Sequence, residues 1–138
     1  MSPMNGDPHV QALTPEECLN YLAGARLGRV GLSVRALPVI QPVRFALVGG
    51  DVVFRAAPGS RLQAAAKDAV VVFQADHHGE DTGIAWSVEA HGLCQEVIDP
   101  LEIELLKALP LPPWRAAPPG DHFLRLPLTR IAGERVYW

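Results

Sequence analysis

The sequence predicts a mainly β protein, a small antiparallel barrel with peripheral helices. Apolar residues alternate, or cluster in strand-length runs, over most of the chain, as in RVGLSV, VGGDVVFRA, AVVVFQAD and IAWSVEAHGLCQEVI. Helix signals are few and do not alternate regularly with the strands, which argues against a doubly wound parallel sheet. The length of 138 residues suits one domain with a real core and is too short for two. About six antiparallel strands with helices at the ends then suggest a barrel.

The elements follow in order. Residues 1–12 are polar or proline- and glycine-bearing and read as a flexible tail, leaving 13–138 as the single domain. LTPEECLNYLAGARLG is a helix: Thr14 caps it, Pro15 takes the first helical position and Glu17 closes a capping box. Leu13 can staple onto Cys18. Cys18, Leu19, Leu22 and Ala23 form an apolar stripe, and Gly28 ends the helix. RVGLSV alternates as a strand, and RALP turns the chain. PVIQPVRFALV is a strand interrupted at Pro42, which has no N–H for the ladder and so marks a bulge or an edge. VGGDVVFRA is a hairpin turning at Gly49-Gly50. APGSRLQAAAKD gives a loop and a short helix over 60–67. AVVVFQAD is apolar on both faces and reads as a central strand, followed by HHGEDTG as a polar loop. IAWSVEAHGLCQEVI is a long strand with a bulge at Gly92, and DPLEIELLKALP a helix capped by Asp99. LPPWRAAPPGD is too rich in proline to be regular. HFLRLPLTRIAGERVYW ends the chain as two strands joined around TRIAGE.

The net charge of -3 provides no global basic field, so neither nucleic acid nor an anionic membrane is an expected partner, and any anion needs a local site. The longest apolar runs are strand-length, and the N-terminus has no basic region followed by an apolar core, so a cytoplasmic protein is expected. Cys18 and Cys94 read as reduced core thiols.

The opening LTPEECLNYLAGARLGRVGLSV, followed by LPVIQPVRFALVGGDVVFRAAPGSRLQAA, resembles the pyridoxamine 5'-phosphate oxidase-like family, in particular its short actinobacterial-type members. AWSVEAHGLCQEVIDPLEIELL and PWRAAPPGDHFLRLPLTRIAGERV agree, so the resemblance runs from about Leu13 to Val136. It rests on order and spacing together. It implies a six-stranded antiparallel split β-barrel of Greek-key type, a homodimer with flavin mononucleotide (FMN) at the subunit interface. It places Arg55, Ser60 and Arg61 at the flavin phosphate, and the backbone of Gln41, Pro42, Val43 and Arg44 beside the ring. Trp86 and Ser87 match a family segment that reaches the flavin, with either subunit open as its source.

The phosphate assignment has a chemical rationale of its own. A phosphomonoester carries nearly two charges and takes charge-assisted donors. The amides of a helix start, a close backbone approach at Gly59, the Ser60 hydroxyl and the guanidinium forks of Arg55 and Arg61 supply them. The plainer reading makes both arginines solvated surface charges and Ser60 a simple N-cap. Gln41 could donate to a ring oxygen or sit on an ordinary edge strand. Trp86 could line a pocket, although a lone tryptophan in an alternating strand is more often core or interface. His77 and His78 point apart in an extended segment and match no zinc-ligand spacing. His91 and His122 read as structural or surface groups. Arg115 and Asp121 flank a loop able to shape the substrate side. No nucleophile–base arrangement is present, so no catalytic residue is assigned. The expected function is FMN-dependent oxidoreduction of a small molecule. The alternative is a non-catalytic storage or sensor module for a flavin, a deazaflavin or haem.

Overall fold

A computed structural model describes residues 9–114 and 122–137 of the chain. Its elements run β1 (Val10–Ala12), α1 (Pro15–Ala23), β2 (Leu27–Val34), β3 (Leu37–Val48), β4 (Asp51–Ala56) and α2 (Arg61–Ala66). They continue as β5 (Ala69–Gly79), β6 (Ile84–Glu96), α3 (Pro100–Lys107), β7 (His122–Pro127) and β8 (Arg130–Tyr137). All pairings are antiparallel, and the circuit β6-β5-β2-β3-β4-β7 closes through Gln95↔Arg125 and Glu96↔Leu124. This is the six-stranded barrel. The long β6 makes the split. It pairs with β8 over Ile84–His91 and then passes to β7, so β8 and β1 extend from β6 outside the closed ring.

Alternation sends Val30, Val43, Val52, Phe54, Phe73, Val88, Leu124 and Leu126 inward, where Phe45 meets Phe73 edge-to-face at 4.8 Å. α1 closes this core with Cys18 and Leu22, its capping box intact: Thr14 Oγ1 accepts from Glu17 N at 3.2 Å and Glu17 Oε1 from Thr14 N at 2.9 Å. A smaller cluster of Val53, Val97, Leu106, Leu111 and Phe123 lies between α3 and the outer side of β4 and β7. Arg125 ties this side to Glu102 of α3.

Several local expectations change. Val10–Ala12, read as tail, pair with Val136–Glu134 of β8. The first helix stops at the Gly24 cap rather than Gly28, and Ala23 is exposed. Gly28 lies in β2, where a Cβ would stand 2.5 Å from Phe73 Cζ. β3 runs unbroken through Pro42, which pairs with Arg29, with no bulge. The missing N–H is tolerated because β4 pairs only with Phe45–Val48, leaving the Pro42 stretch as an open edge. β5 is central, but one of its faces looks outward, and Val70 is 72% exposed. The expected HHGEDTG loop is shorter than read: pairing reaches His77↔Trp86, His78↔Ala85 and Gly79↔Ile84, and only residues 80–83 form the turn. Register is continuous through Gly92, so there is no bulge. The glycine is needed because a Cβ would meet the Pro127 carbonyl at 2.5 Å, where β6 changes partners. The last two strands join at Leu128-Thr129, and TRIAGE lies mostly within β8. The Gly49-Gly50 turn is as expected, with both residues at positive φ, as a tight hairpin demands.

Candidate functional site

The open edge of β3, the end of β4 and the start of α2 surround a cleft of about 380 Å³. Gln41 and Pro42 form one wall and Arg55, Ala56 and Ala57 another. Ser60, Arg61 and Leu62 form the floor, and Pro113 and Trp114 the rim. The fold makes this gap because β3 leaves β4 after four paired residues and α2 crosses the vacated end.

Each polar group in the cleft is held differently. Arg55 leaves the outer face of β4. Its Nη1 donates to the Leu111 carbonyl at 3.2 Å, and its guanidinium lies 5.5 Å from the Phe123 ring centre. Arg61 is exposed at the first position of α2. Ser60 Oγ accepts from Gln63 N at 3.1 Å, which fixes the oxygen and leaves its O–H able to donate outward. Gly59, at φ +71°, turns the loop so that its N–H donates to Gln63 Oε1 at 3.3 Å, while Ser60 N donates to Ala57 O at 3.1 Å. The amides of Gly59, Ser60 and Gln63 are therefore already donating, and α2 has only six residues. The helix-start share of the expected cradle shrinks accordingly. The two guanidiniums and the hydroxyl remain as its donors, and among the described residues no carboxylate lines the cleft. That donor set fits a phosphate.

Of the expected site residues, the structure brings Gln41, Pro42, Arg55, Ser60 and Arg61 into one cleft. Val43 points into the core at 1% exposure and can offer only backbone. Arg44 is exposed and does not line the cleft. Trp86 stacks on Tyr21 with ring centres 5.0 Å apart, beside His77 and His78, and Ser87 faces Gln74 at 3.2 Å and a separate groove with Glu134. Within one chain Trp86 and Ser87 are thus on other surfaces. Arg115 and Asp121 fall outside the described residues. Among these residues, no group of His, Cys, Asp and Glu is placed to hold a metal.

From the sequence, Pro113 is not expected at the site, and Trp114 reads only as the start of WRAAPPGDHF, a loop that could shape the substrate side or pack on the surface; the proline-rich LPPW is the signal that a rigid, irregular segment has to pack somewhere. A polar cluster behind the cradle was also missed. Glu96 Oε1 accepts from Gln63 Nε2 at 3.2 Å, Glu96 Oε2 lies 2.5 Å from His122 Nδ1, and Lys67 Nζ stands 3.8 Å from the same carboxylate. Burial alone would raise the Glu96 pKa. The hydrogen bonds from His122 and Gln63, with the charges of His122 and Lys67, outweigh it and hold the carboxyl below its ordinary range.

The profile of the pyridoxamine 5'-phosphate oxidase family matches residues 14–135. The chain belongs to that family. It is 33% identical over 110 residues to the uncharacterized protein Rv0080 of Mycobacterium tuberculosis, covering 76% of this chain and 72% of that one. The solved FAD binding protein of Mycobacterium smegmatis is 32% identical, with a TM-score of 0.80, over 93% of this chain and 99% of its own. An FAD and heme binding protein from the same organism, at 17% identity and a TM-score of 0.73 over 94% of this chain and 73% of that one, shares the fold.

Proposed function

We propose that the cleft binds the phosphate end of a flavin nucleotide and that the protein is an FMN-dependent oxidoreductase acting on a small molecule. The observation that carries this reading is the convergence of Arg55, the Ser60 hydroxyl and Arg61 on a cleft whose described lining has no carboxylate. The exposed edge of β3 at Gln41 and Pro42 offers a flat wall beside it. FAD carries an equivalent phosphate next to its ribityl chain, so the same cradle serves either cofactor, and the FAD-binding relative fits this reading. When bound, flavin supplies the electron or hydride chemistry. The chain's residues bind and orient it, Arg61 and Ser60 from the floor and Arg55 from the wall.

In this reading the protein is a homodimer with the cofactor at the subunit interface, where Trp86 and Ser87 of a second copy could complete the site. Support comes from the outer barrel face, where Val70 and Leu93 are cross-strand partners at 72% and 45% exposure, with Ile40 at 73%. A cytoplasmic setting is consistent with two free buried cysteines. No helix among the described residues is long and apolar enough to cross a membrane.

Titration with riboflavin, FMN and FAD tests the cradle. The phosphorylated flavins are expected to bind at least about tenfold more tightly than riboflavin, which has the ring and no phosphate. Equal affinities would refute it. One observation favours a second reading, a non-catalytic module for a flavin, a deazaflavin or haem: among the described residues no carboxylate, histidine or thiol lines the cleft to move a proton. Reduction of the bound flavin by a nicotinamide nucleotide supports the enzyme. A stable, unreduced flavin or a Soret band supports the module.

A further inference from the structure

We infer that Glu96, which does not line the cleft, is a positioning residue for the anion cradle and acts through Gln63. The inference rests on the phosphate reading of the cleft. Gln63 is the hub of the Gly59-Ser60 loop. Its backbone N–H donates to Ser60 Oγ at 3.1 Å and its Oε1 accepts from Gly59 N at 3.3 Å. The Gly59 contact holds only in one orientation of the side-chain amide, because the opposite one would aim Nε2 at the Gly59 N–H. Glu96 sets that orientation. Its Oε1 accepts from Gln63 Nε2 at 3.2 Å, and an ionised carboxylate can only accept. His122 at Oε2 and Lys67, 3.8 Å from Oε1, keep the carboxylate in place.

The side-chain relay is therefore Glu96 to Gln63 Nε2 and Gln63 Oε1 to the Gly59 N–H, with Ser60 and Arg61 next along the backbone. Gly59 at φ +71° has no side chain to hold its own turn, and the Gln63 side-chain amide fixes its N–H from outside. A preformed loop lowers the ordering cost of binding. Sequence separation hides the arrangement: Gln63 lies on α2 and Glu96 at the end of β6, and the β5–β6 pairing at Ala69↔Cys94, just after α2, brings them together.

The sign of the effect separates positioning from simple charge. Glu96 is an anion behind an anion site, so by Coulomb's law its removal would tighten phosphate binding. Removal of a positioning acceptor weakens it. FMN and riboflavin are titrated against the wild type, Glu96→Gln, Glu96→Ala, Gln63→Ala and the double alanine variant. Glu96→Ala and Gln63→Ala are expected to weaken FMN binding by about three- to tenfold and leave riboflavin within about twofold. Glu96→Gln keeps an acceptor oxygen and stays within about twofold of wild type for FMN. The double variant is no weaker than Gln63→Ala alone, because the two residues act in series. Unchanged or tighter FMN binding by Glu96→Ala, a parallel loss for riboflavin, or additive losses would overturn the inference. If Glu96→Ala does not fold, the loss in Gln63→Ala and the retention in Glu96→Gln test the same contact, and a silent Gln63→Ala overturns it. A wild type that prefers FMN alongside a silent Glu96→Ala refutes the positioning role alone, whereas a wild type without that preference removes the cradle and the role together.

Discussion

Arg55 and Arg61 face one cleft, yet the structure predicts different penalties for losing them. Arg55 is part-buried, donates to the Leu111 carbonyl and covers the Phe123 ring. A hydrogen bond from a charged donor contributes about 1.5–3 kcal/mol, and a cation–π contact at a part-exposed site about 0.5–1 kcal/mol. Arg55→Ala is therefore expected to destabilise the fold by about 2–3 kcal/mol, discounted for partial exposure. Arg61 stands exposed at the start of α2, and Arg61→Ala should change stability by no more than about 0.5 kcal/mol. If the proposed cradle holds the phosphate, each variant loses one charge-assisted contact to it, so FMN affinity should fall roughly ten- to a hundredfold in both, with riboflavin affinity nearly unchanged. Urea unfolding and flavin-fluorescence titration measure the two quantities independently. Arg35→Asn is the control. Arg35 is outside the cleft, and asparagine tolerates its φ of +51° better than alanine would. Destabilisation by Arg61→Ala equal to that by Arg55→Ala would refute the division of roles, and a control that loses FMN affinity alongside them would refute the shared cradle.

Other consequences are simpler to check. Thr14→Ala removes the cap of α1 and should cost about 1 kcal/mol, read as a few degrees of Tm by calorimetry. Glu96 is held below its ordinary pKa in the fold. Its contribution is thus complete above the unfolded value of about 4.3 and is lost as pH falls through the lower folded value. Urea midpoints measured between about pH 5 and 3 should fall more steeply for wild type than for Glu96→Gln. Burial, with the Asp68 charge, pushes the Cys94 thiol up to about 12, and burial with the Glu17 charge raises Cys18. Neither should react with a thiol reagent until denaturant is added, and a fast-reacting thiol in the folded protein would contradict the buried placement.

Sequence by itself determined the features whose physics is local. The Thr14-Glu17 box, the Gly49-Gly50 turn, the Asp99 cap and the alternation of strand residues act within a few positions, so each is legible where it stands. The resemblance extended this to the barrel and to the arginines flanking PGS. Tertiary structure decided what depends on non-local approach. Gly28 reads as a helix stop until Phe73, on a different strand, is seen to need its missing Cβ. Pro42 reads as a break until β4 is seen to end its pairing before reaching it. The clustering of Gln41, Arg55, Arg61 and Trp114 requires the open edge of β3, the end of β4, α2 and a segment beyond α3 to meet at one cleft. Glu96 and His122 are 26 positions apart and become partners only because β6 exchanges β8 for β7 in its last residues. Contacts of this kind form only when the ring closes, and ring closure is a property of the whole chain.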